Sequence, residues 1–323
     1  MDLTATRTVL AIDIGGTFTK LGLVGREGEI LASKELNTKA KRPFEVFIKR
    51  LGGEIQNLIS TLASPDMVLA IGIGAPNADF KTGEMKHPPN FRWGESVPVQ
   101  YAVTSMLNRP VFMTNDANAA ALGELYFGNG KGMKHFVVLT LGTGLGSGII
   151  TNGNLLYGKN GMAGELGHVN VIAGGRQCNC GLRGCLETYA SVTGIKRTVF
   201  ELLSESNADS ELRNYSFKKL TGKVISEAAH QNDKIALEAF YRTAKVLGSK
   251  MADTVAHLEP EAFILTGGLS NAGDIFLEPL KKYMEDALFG AYKGKVKILL
   301  SNSPSREAVM GPAALAWQGL ENK

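Results

Sequence analysis

Four residues that can bind a metal ion lie in one short stretch of the sequence: His168, Cys178, Cys180 and Cys185. One imidazole and three thiolates make a Cys₃His ligand set, which suits tetrahedral structural zinc. The chain has 3 cysteines and all of them lie here, so a disulfide framework does not fit and simple packing does not explain their grouping. We therefore predict a closed Zn²⁺ site that stabilises the fold and takes no part in the chemistry.

Two Gly/Thr turns are candidate phosphate-binding sites. Each follows an apolar run and is followed by a second predicted strand, which distinguishes both from the P-loop and from a dinucleotide-binding GxGxxG turn. Glycine lets the backbone approach a ligand, backbone N–H groups point at its oxygens, and threonine adds a hydroxyl. A tight hairpin turn without a ligand is the alternative for either turn alone. The residues are Gly15, Gly16 and Thr17 in the first turn and Gly142, Thr143 and Gly144 in the second.

Two aspartates in the first half of the chain are candidates for catalytic chemistry. Asp13 lies in an Ile-Asp-Ile run, where a buried carboxylate needs a cation or a donor, and Mg²⁺ is a suitable partner. Asp116 follows a predicted strand and begins a predicted helix, so it is either a helix N-cap or a general base. Near the cysteines, Glu165, His168 and Glu187 add polar groups suited to a hydroxyl-rich ligand.

Hydrophobic periodicity predicts strands and helices that position these residues. The opening strand–turn–strand unit recurs roughly 130 residues later, which indicates a duplicated α/β fold. No low-complexity linker separates the halves, so we predict a hinge at about 115–120 within a compact molecule. Predicted strands cover 9–14, 20–24, a stretch from 30, 68–73, 111–114, 135–141, 147–151, 262–266 and 296–300, and predicted helices cover 44–62, 115–127, 233–258 and 308–320.

Length and composition describe an ordinary globular protein. The 323 residues exceed one typical domain, and 44% hydrophobic with 20% charged residues is not the composition of a disordered chain. The net charge of +4 is too small to indicate nucleic-acid or membrane binding. No apolar run is long enough for a membrane span or a signal-peptide core. We therefore expect a cytoplasmic protein with domains at 1–117 and 118–305.

The candidate residues fall within five motifs that occur in order along the chain. Together these motifs resemble the ROK family (repressors, open reading frames and kinases), particularly its bacterial glucokinases, over about residues 9–318. One motif would be weak evidence, but five in order identify the family. The motifs are Asp13-Ile-Gly-Gly-Thr17, Asn115-Asp116-Ala-Asn-Ala119, Leu141-Gly-Thr-Gly144, Glu165-Leu-Gly-His168 and Cys178-Asn-Cys-Gly-Leu-Arg-Gly-Cys185-Leu-Glu187.

The resemblance implies a fold and an activity. The fold is two actin-like, ribonuclease-H-like α/β domains flanking a central cleft, with a C-terminal helix at about 306–323 packing on the first domain. Members phosphorylate the 6-hydroxyl of a hexose with ATP and Mg²⁺, commonly as homodimers, and we expect the zinc-containing domain to carry the dimer surface.

The resemblance also implies a role for each candidate residue. The catalytic base falls on Asp116, while Asp13 and Lys20 join the two Gly/Thr turns in binding the nucleotide phosphates and Mg²⁺. His168 corresponds to a residue that binds both zinc and sugar. The pair beside the adenosine is Gly267 and Gly268, and the sugar contacts are Asn90, Asn115, Asp116, Glu165, His168 and Glu187.

Several functions remain open at this point. N-acetylglucosamine, N-acetylmannosamine, mannose and fructose kinases of the family share these motifs. A sugar-responsive repressor is disfavoured because Asp13 lies too near the start for a preceding helix-turn-helix domain. A non-catalytic sugar sensor is disfavoured because Asp116 and both turns are present. Asn77, where many members have glycine, either contacts a sugar substituent or only shapes its turn.

Overall fold

The computed structural model describes residues 7–88, 90–302 and 307–322. The chain forms two compact units. Unit 1 comprises the described residues of Met1–Gly132, Leu155–Ala163 and Ser301–Lys323, and unit 2 comprises Met133–Asn154 and Gly164–Leu300. No helix in these described residues is long and apolar enough to cross a membrane.

Strands and helices alternate along the chain, as the periodicity predicted. The strands are β1 (Thr8–Ile14), β2 (Phe18–Val24), β3 (Ile30–Asn37), β4 (Val68–Gly74), β5 (Ala78–Asp79), β6 (Glu84–Lys86), β7 (Ser96–Val97), β8 (Val111–Thr114), β9 (Phe136–Leu141), β10 (Leu145–Thr151), β11 (Asn154–Leu155), β12 (Ala262–Thr266) and β13 (Lys297–Leu300). The helices are α1 (Phe44–Ile59), α2 (Val99–Leu107), α3 (Asp116–Phe127), α4 (Val192–Glu205), α5 (Gly222–His230), α6 (Lys234–Leu258), α7 (Asp274–Ala287) and α8 (Met310–Glu321).

The central strand of unit 1, β1, is buried on both faces. Leu10, Ile12 and Ile14 belong to the hydrophobic cluster that includes buried residues of α1. Val9 and Ala11 belong to a second cluster, which includes residues of α8. Successive side chains of a strand point to opposite faces, so a strand covered on both sides reads as an unbroken apolar run. This is why Asp13, near the end of β1, stands out in the sequence.

The two main sheets have the same strand order. In unit 1 the order is β3-β2-β1-β4-β8, and in unit 2 it is β11-β10-β9-β12-β13. In each, the hairpin partner of the central strand is antiparallel, whereas the strands on its other side are parallel to it. The structure therefore confirms the fold duplication that the repeated strand–turn–strand pattern predicted.

The division between the units differs from the predicted boundary at residue 117. The first segment of unit 1 continues to Gly132, because α3 packs along α8 in the same unit. The segment Leu155–Ala163 also belongs to unit 1, where Tyr157 stacks on Phe80 with a ring-centroid distance of 4.1 Å. Contacts between segments far apart in sequence decide this division, and a scan for linkers does not detect them.

Candidate active site and metal centre

Parallel pairing in unit 1 brings its candidate catalytic residues to one edge of the sheet. Asp13 of β1 pairs with Gly74 of β4, and Gly74 pairs with Thr114 of β8. Because the carboxyl ends of parallel strands meet at the same edge, Asp13 lies near the residues that follow Thr114. These are Asn115 and Asp116, at the beginning of α3.

Asn115, and not Asp116, caps α3. Oδ1 of Asn115 accepts a hydrogen bond of 2.7 Å from the backbone N–H of Asn118, as an N-cap side chain does. Asp116 is the first helical residue, and its Oδ1 accepts a local hydrogen bond of 2.9 Å from the N–H of Ala117. The capping role left open for Asp116 therefore belongs to its neighbour, which leaves most of the Asp116 carboxylate available to a ligand.

Both carboxyl groups at this edge have a raised pKa. Burial, and secondarily the nearby charge of Asp116, raise the pKa of Asp13 to about 7, while Lys20 acts in the opposite direction. Lys20 is the residue that pairs with Asp13 in the hairpin of β1 and β2. Part of the Asp116 side chain remains open to solvent, but surrounding protein displaces enough water to raise its pKa as well. A divalent cation at this edge would relieve the cost of placing two carboxylates close together.

The first Gly/Thr turn is supported by a residue that the sequence analysis missed. The hydroxyl of Thr38 donates a hydrogen bond of 2.7 Å to the carbonyl of Gly15, and the N–H of Thr38 donates to the carbonyl of Thr17 at 2.8 Å. Gly16 and Thr17 remain exposed. Thr38 is fully buried next to the end of β3, and a single threonine there carries no motif that identifies its role.

Asn90 and Asn77 lie in loops of unit 1. A Cβ added to Gly16 would lie 3.9 Å from the Cβ of Asn90, so Asn90 lies beside the first turn. Asn77 has a φ of 50° and its side-chain amide donates a hydrogen bond of 3.1 Å to the carbonyl of His87. Asn77 therefore shapes its turn, and the left-handed backbone explains why glycine is an equivalent choice there.

The second Gly/Thr turn lies in unit 2 next to the predicted glycine pair. Gly267 has a φ of 97°, and a Cβ on it would lie 2.7 Å from the backbone of Leu141. The N–H of Leu269 donates to the carbonyl of Leu141 at 3.1 Å, and the N–H of Val192 donates to the carbonyl of Gly142 at 2.8 Å. Gly142, Thr143 and Gly144 thus adjoin Gly267 and Gly268 at one edge of the sheet.

The predicted metal ligands converge in unit 2. The ligand atoms of His168, Cys178, Cys180 and Cys185 all lie within 4.8 Å of one another. Sγ of Cys178 is 3.8 Å from Nδ1 of His168, and Sγ of Cys180 is 3.6 Å from Sγ of Cys185. Ligands about 2.3 Å from a tetrahedral zinc ion stand about 3.8 Å apart, so the spacing suits this ion. Burial raises the pKa of the Cys178 thiol to about 12, and a bound cation would reverse this shift.

Arg176 anchors the metal loop, by which we mean residues 168–185 with the four candidate ligands, and the sequence analysis did not identify this role. Its guanidinium donates to the carbonyls of Thr188 at 2.7 Å and Gly194 at 3.0 Å. It also lies over the ring of Tyr189, 4.4 Å from the centroid, and forms an ion pair with Glu201. Arginine next to a cysteine motif is too common for this role to be predicted from sequence.

The two glutamates near the metal loop have different surroundings. Glu165 is exposed and immediately precedes the helical turn Leu166–His168. Glu187 is half-buried, and its Oε2 accepts a hydrogen bond of 3.2 Å from the N–H of Leu145. Its Oε1 accepts from the Cys178 thiol at 3.4 Å. Glu187 therefore touches both the metal loop and the end of the second Gly/Thr turn.

Both main sheets have this strand order, and each has a hairpin turn and candidate ligand-binding residues at the carboxyl ends of its parallel strands. This arrangement defines the actin-like ATPase fold. The model of the ROK family matches residues 9–319, and the chain belongs to this family. The fold and family expected from the sequence motifs are thereby confirmed.

Relatives in the family include kinases and regulators. A glucokinase of Halalkalibacterium halodurans is 38% identical over 86% of this chain and 86% of that protein. The crystal structure of a ROK family glucokinase from Streptomyces griseus in complex with glucose and AMPPNP matches with a TM-score of 0.81 and 34% identity, covering 97% of this chain and 100% of that chain. The xylose repressor of Caldicellulosiruptor bescii is 30% identical over 95% of this chain and 77% of the repressor.

Proposed function

We propose that this ROK-family sugar kinase transfers the γ-phosphoryl group of ATP to the 6-hydroxyl of glucose. The observation that carries the proposal is the state of Asp116, whose carboxylate is free of the helix cap and lies near Asp13 at the edge of the sheet. The glucose and AMPPNP bound by the similar glucokinase of Streptomyces griseus support the choice of substrates.

Asp116 acts as the general base. Burial raises the pKa of Asp116, and a more basic carboxylate accepts a proton more readily. The attacking oxygen passes its proton to Asp116 as the bond to phosphorus forms and the bond to the leaving ADP oxygen breaks. Catalysis of this kind depends mostly on positioning and on charge neutralisation.

Asp13 and the two turns bind the nucleotide. The half-buried carboxylate of Asp13, beside a second carboxylate, fits Mg²⁺ as a ligand directly or through water. When bound, Mg²⁺ would neutralise part of the negative charge of the nucleotide phosphates. Backbone N–H groups of both Gly/Thr turns bind phosphate oxygens, Lys20 adds a positive charge near Asp13, and Gly267 with Gly268 gives the adenosine room.

The sugar-binding residues supply complementary hydrogen-bonding groups. Asn115 uses Oδ1 for the helix cap, which leaves its NH₂ group for a sugar oxygen. Glu165 and Glu187 accept hydrogen bonds from hydroxyls, and His168 and Asn90 complete the set.

The Cys₃His cluster holds structural Zn²⁺. The convergent ligand atoms and the buried thiols of Cys178 and Cys185 support this assignment, since all four protein ligands close the site. When Cys178 is a thiolate it no longer donates to Oε1 of Glu187, and this oxygen becomes available to a sugar hydroxyl. We also propose, from the family resemblance, that the protein is a cytoplasmic homodimer.

A coupled phosphorylation assay with Mg²⁺ tests the proposal on glucose, mannose, fructose, N-acetylglucosamine and N-acetylmannosamine. We expect the highest kcat/KM with glucose. Glucose-6-phosphate dehydrogenase should oxidise the product, because it accepts the 6-phosphate. Preference for an N-acetyl sugar would contradict glucose as the substrate while retaining the base, and no turnover on any sugar would contradict the kinase assignment.

A further inference from the structure

Glu187 lies where the metal loop meets the second Gly/Thr turn. One oxygen of its carboxylate accepts the N–H of Leu145, the residue that ends the turn and begins β10. The other oxygen lies 3.4 Å from the sulfur of Cys178. A single half-buried side chain therefore contacts both a backbone group of the turn and a predicted metal ligand.

Two glycines make this close contact sterically allowed. A Cβ on Gly144 would collide with Oε2 of Glu187 and lie 3.3 Å from its Cδ. A Cβ on Gly167, the residue before His168, would collide with the carbonyl of Leu145 and lie 3.6 Å from the Cβ of Glu187. The turn, the segment carrying the histidine ligand and Glu187 thus pack closely, with no room for a methyl group added at Gly144 or Gly167.

We infer that Glu187 is a positioning residue for the turn at 142–144 and couples metal binding to nucleotide binding. The inference rests on the proposed function, in which this turn binds nucleotide phosphates and the Cys₃His cluster binds zinc. It is separate from the proposed sugar contact of Glu187, because no sugar takes part in it. Zinc binding converts the Cys178 thiol to a thiolate that no longer donates to Oε1 of Glu187. The carboxylate that accepts the N–H of Leu145 therefore has different partners with and without zinc, so the affinities for zinc and for nucleotide depend on each other.

The experiment measures the apparent zinc affinity of the holoprotein without sugar. Zinc is titrated away with a chelator of known affinity, with and without saturating AMPPNP in excess Mg²⁺. For the wild type we expect AMPPNP to change the apparent zinc affinity by at least about fivefold, the lower end of typical coupling between sites.

Variants assign the coupling to Glu187. Glu187→Ala should reduce the effect of AMPPNP to less than about twofold, while Glu187→Gln should retain a large part of it, because a glutamine oxygen still accepts from Leu145. Gly144→Ala should resemble Glu187→Ala. The added methyl group meets the free end of a flexible side chain, so the fold persists while the carboxylate moves off the N–H of Leu145.

Gly290→Ala is the control for Gly144→Ala. Gly290 lies in the same unit but outside the turn and the metal loop, it is exposed, and a Cβ on it meets nothing within 4 Å. Its coupling should equal that of the wild type. Loss of coupling in both glycine variants would overturn the role of Glu187 and assign the effect to general disturbance of unit 2.

The remaining outcomes separate the inference from the proposed function. Zinc and AMPPNP that both bind the wild type, but without affecting each other, would overturn the inference alone. Unchanged coupling in Glu187→Ala would also overturn it. Protein that binds no zinc or no AMPPNP, shown by metal analysis and calorimetry, would overturn the inference together with the corresponding part of the proposed function.

Discussion

Unit 1 and unit 2 carry different chemistry on the same order of five strands. At the sheet edge of unit 1 stand two carboxylates, Asp13 and Asp116, with raised pKa values. At the corresponding edge of unit 2 stand glycines 142, 144, 267 and 268, next to a metal loop. The two units therefore share the sheet and its Gly/Thr hairpin turn, but they differ in the side chains around that turn.

The supports of the two turns differ as well. Thr38 holds the first turn through a hydroxyl and a backbone N–H, both from the end of an adjacent strand. The second turn is held by Val192 at the beginning of α4 and by Glu187 beside the metal loop. A change in the metal loop is therefore expected to reach only the second turn directly, whereas the proposed acid–base chemistry belongs to unit 1.

The largest expected effect tests whether the acid–base chemistry resides in unit 1. Asp116→Asn should lower kcat by at least ~100-fold with glucose binding largely retained, because an amide cannot accept the proton. Steady-state kinetics and calorimetry with glucose measure the two quantities. Asp66→Asn, at a strongly exposed site in the same unit, is the control and should leave kcat unchanged. Near-normal turnover in Asp116→Asn would remove Asp116 from the role of base.

The next effect tests whether unit 2 depends on its metal loop. Cys178→Ser should lose most of the zinc and lower Tm by at least ~5 °C, because a structural site contributes directly to folding. Metal analysis and calorimetry check this. Leu182→Ala, an exposed residue of the same loop, should keep one zinc per chain and a nearly native Tm. A Cys178→Ser protein with unchanged zinc and Tm would contradict the structural site.

The third prediction concerns the energetic cost of ionising the half-buried carboxyl group of Asp13 in unit 1. The folded-state pKa of Asp13, about 7, exceeds its ordinary value of 3.8, so its ionised form destabilises the fold and the penalty grows between these pH values. Without Mg²⁺, Asp13→Asn should therefore raise Tm by a few °C at pH 8 and by less at pH 5. Thermal unfolding at both pH values measures this. An equal gain at the two pH values would show that the ionisation of Asp13 is not responsible.

The smallest effect concerns Asn77, in a loop of unit 1. Asn77→Gly should change kcat/KM for glucose by less than about threefold, because glycine also adopts the left-handed backbone. Asn77→Ala should lose about 1 kcal/mol of unfolding free energy, since alanine is strained there. Sugar-panel kinetics and denaturant unfolding check both. A large change in sugar preference with Asn77→Gly would show that Asn77 contacts the sugar.

The sequence alone determined the fold class, the duplicated turns and the residues of the metal loop. These features are local: an apolar run predicts a buried strand, and three cysteines near a histidine predict a metal site wherever the chain places them. The bounds were also close, although β2 and β10 begin at Phe18 and Leu145, two residues before the predicted starts.

Only the tertiary structure decided which contacts these residues make. It showed that Asn115 caps α3 and that Thr38 supports the first turn. It also showed that Glu187 supports the second turn by accepting the N–H of Leu145, 42 residues earlier in the chain. It also extended unit 1 past residue 117 and returned Leu155–Ala163 to it. Such contacts depend on packing between distant segments, and the sequence pattern of each segment carries no record of its partner.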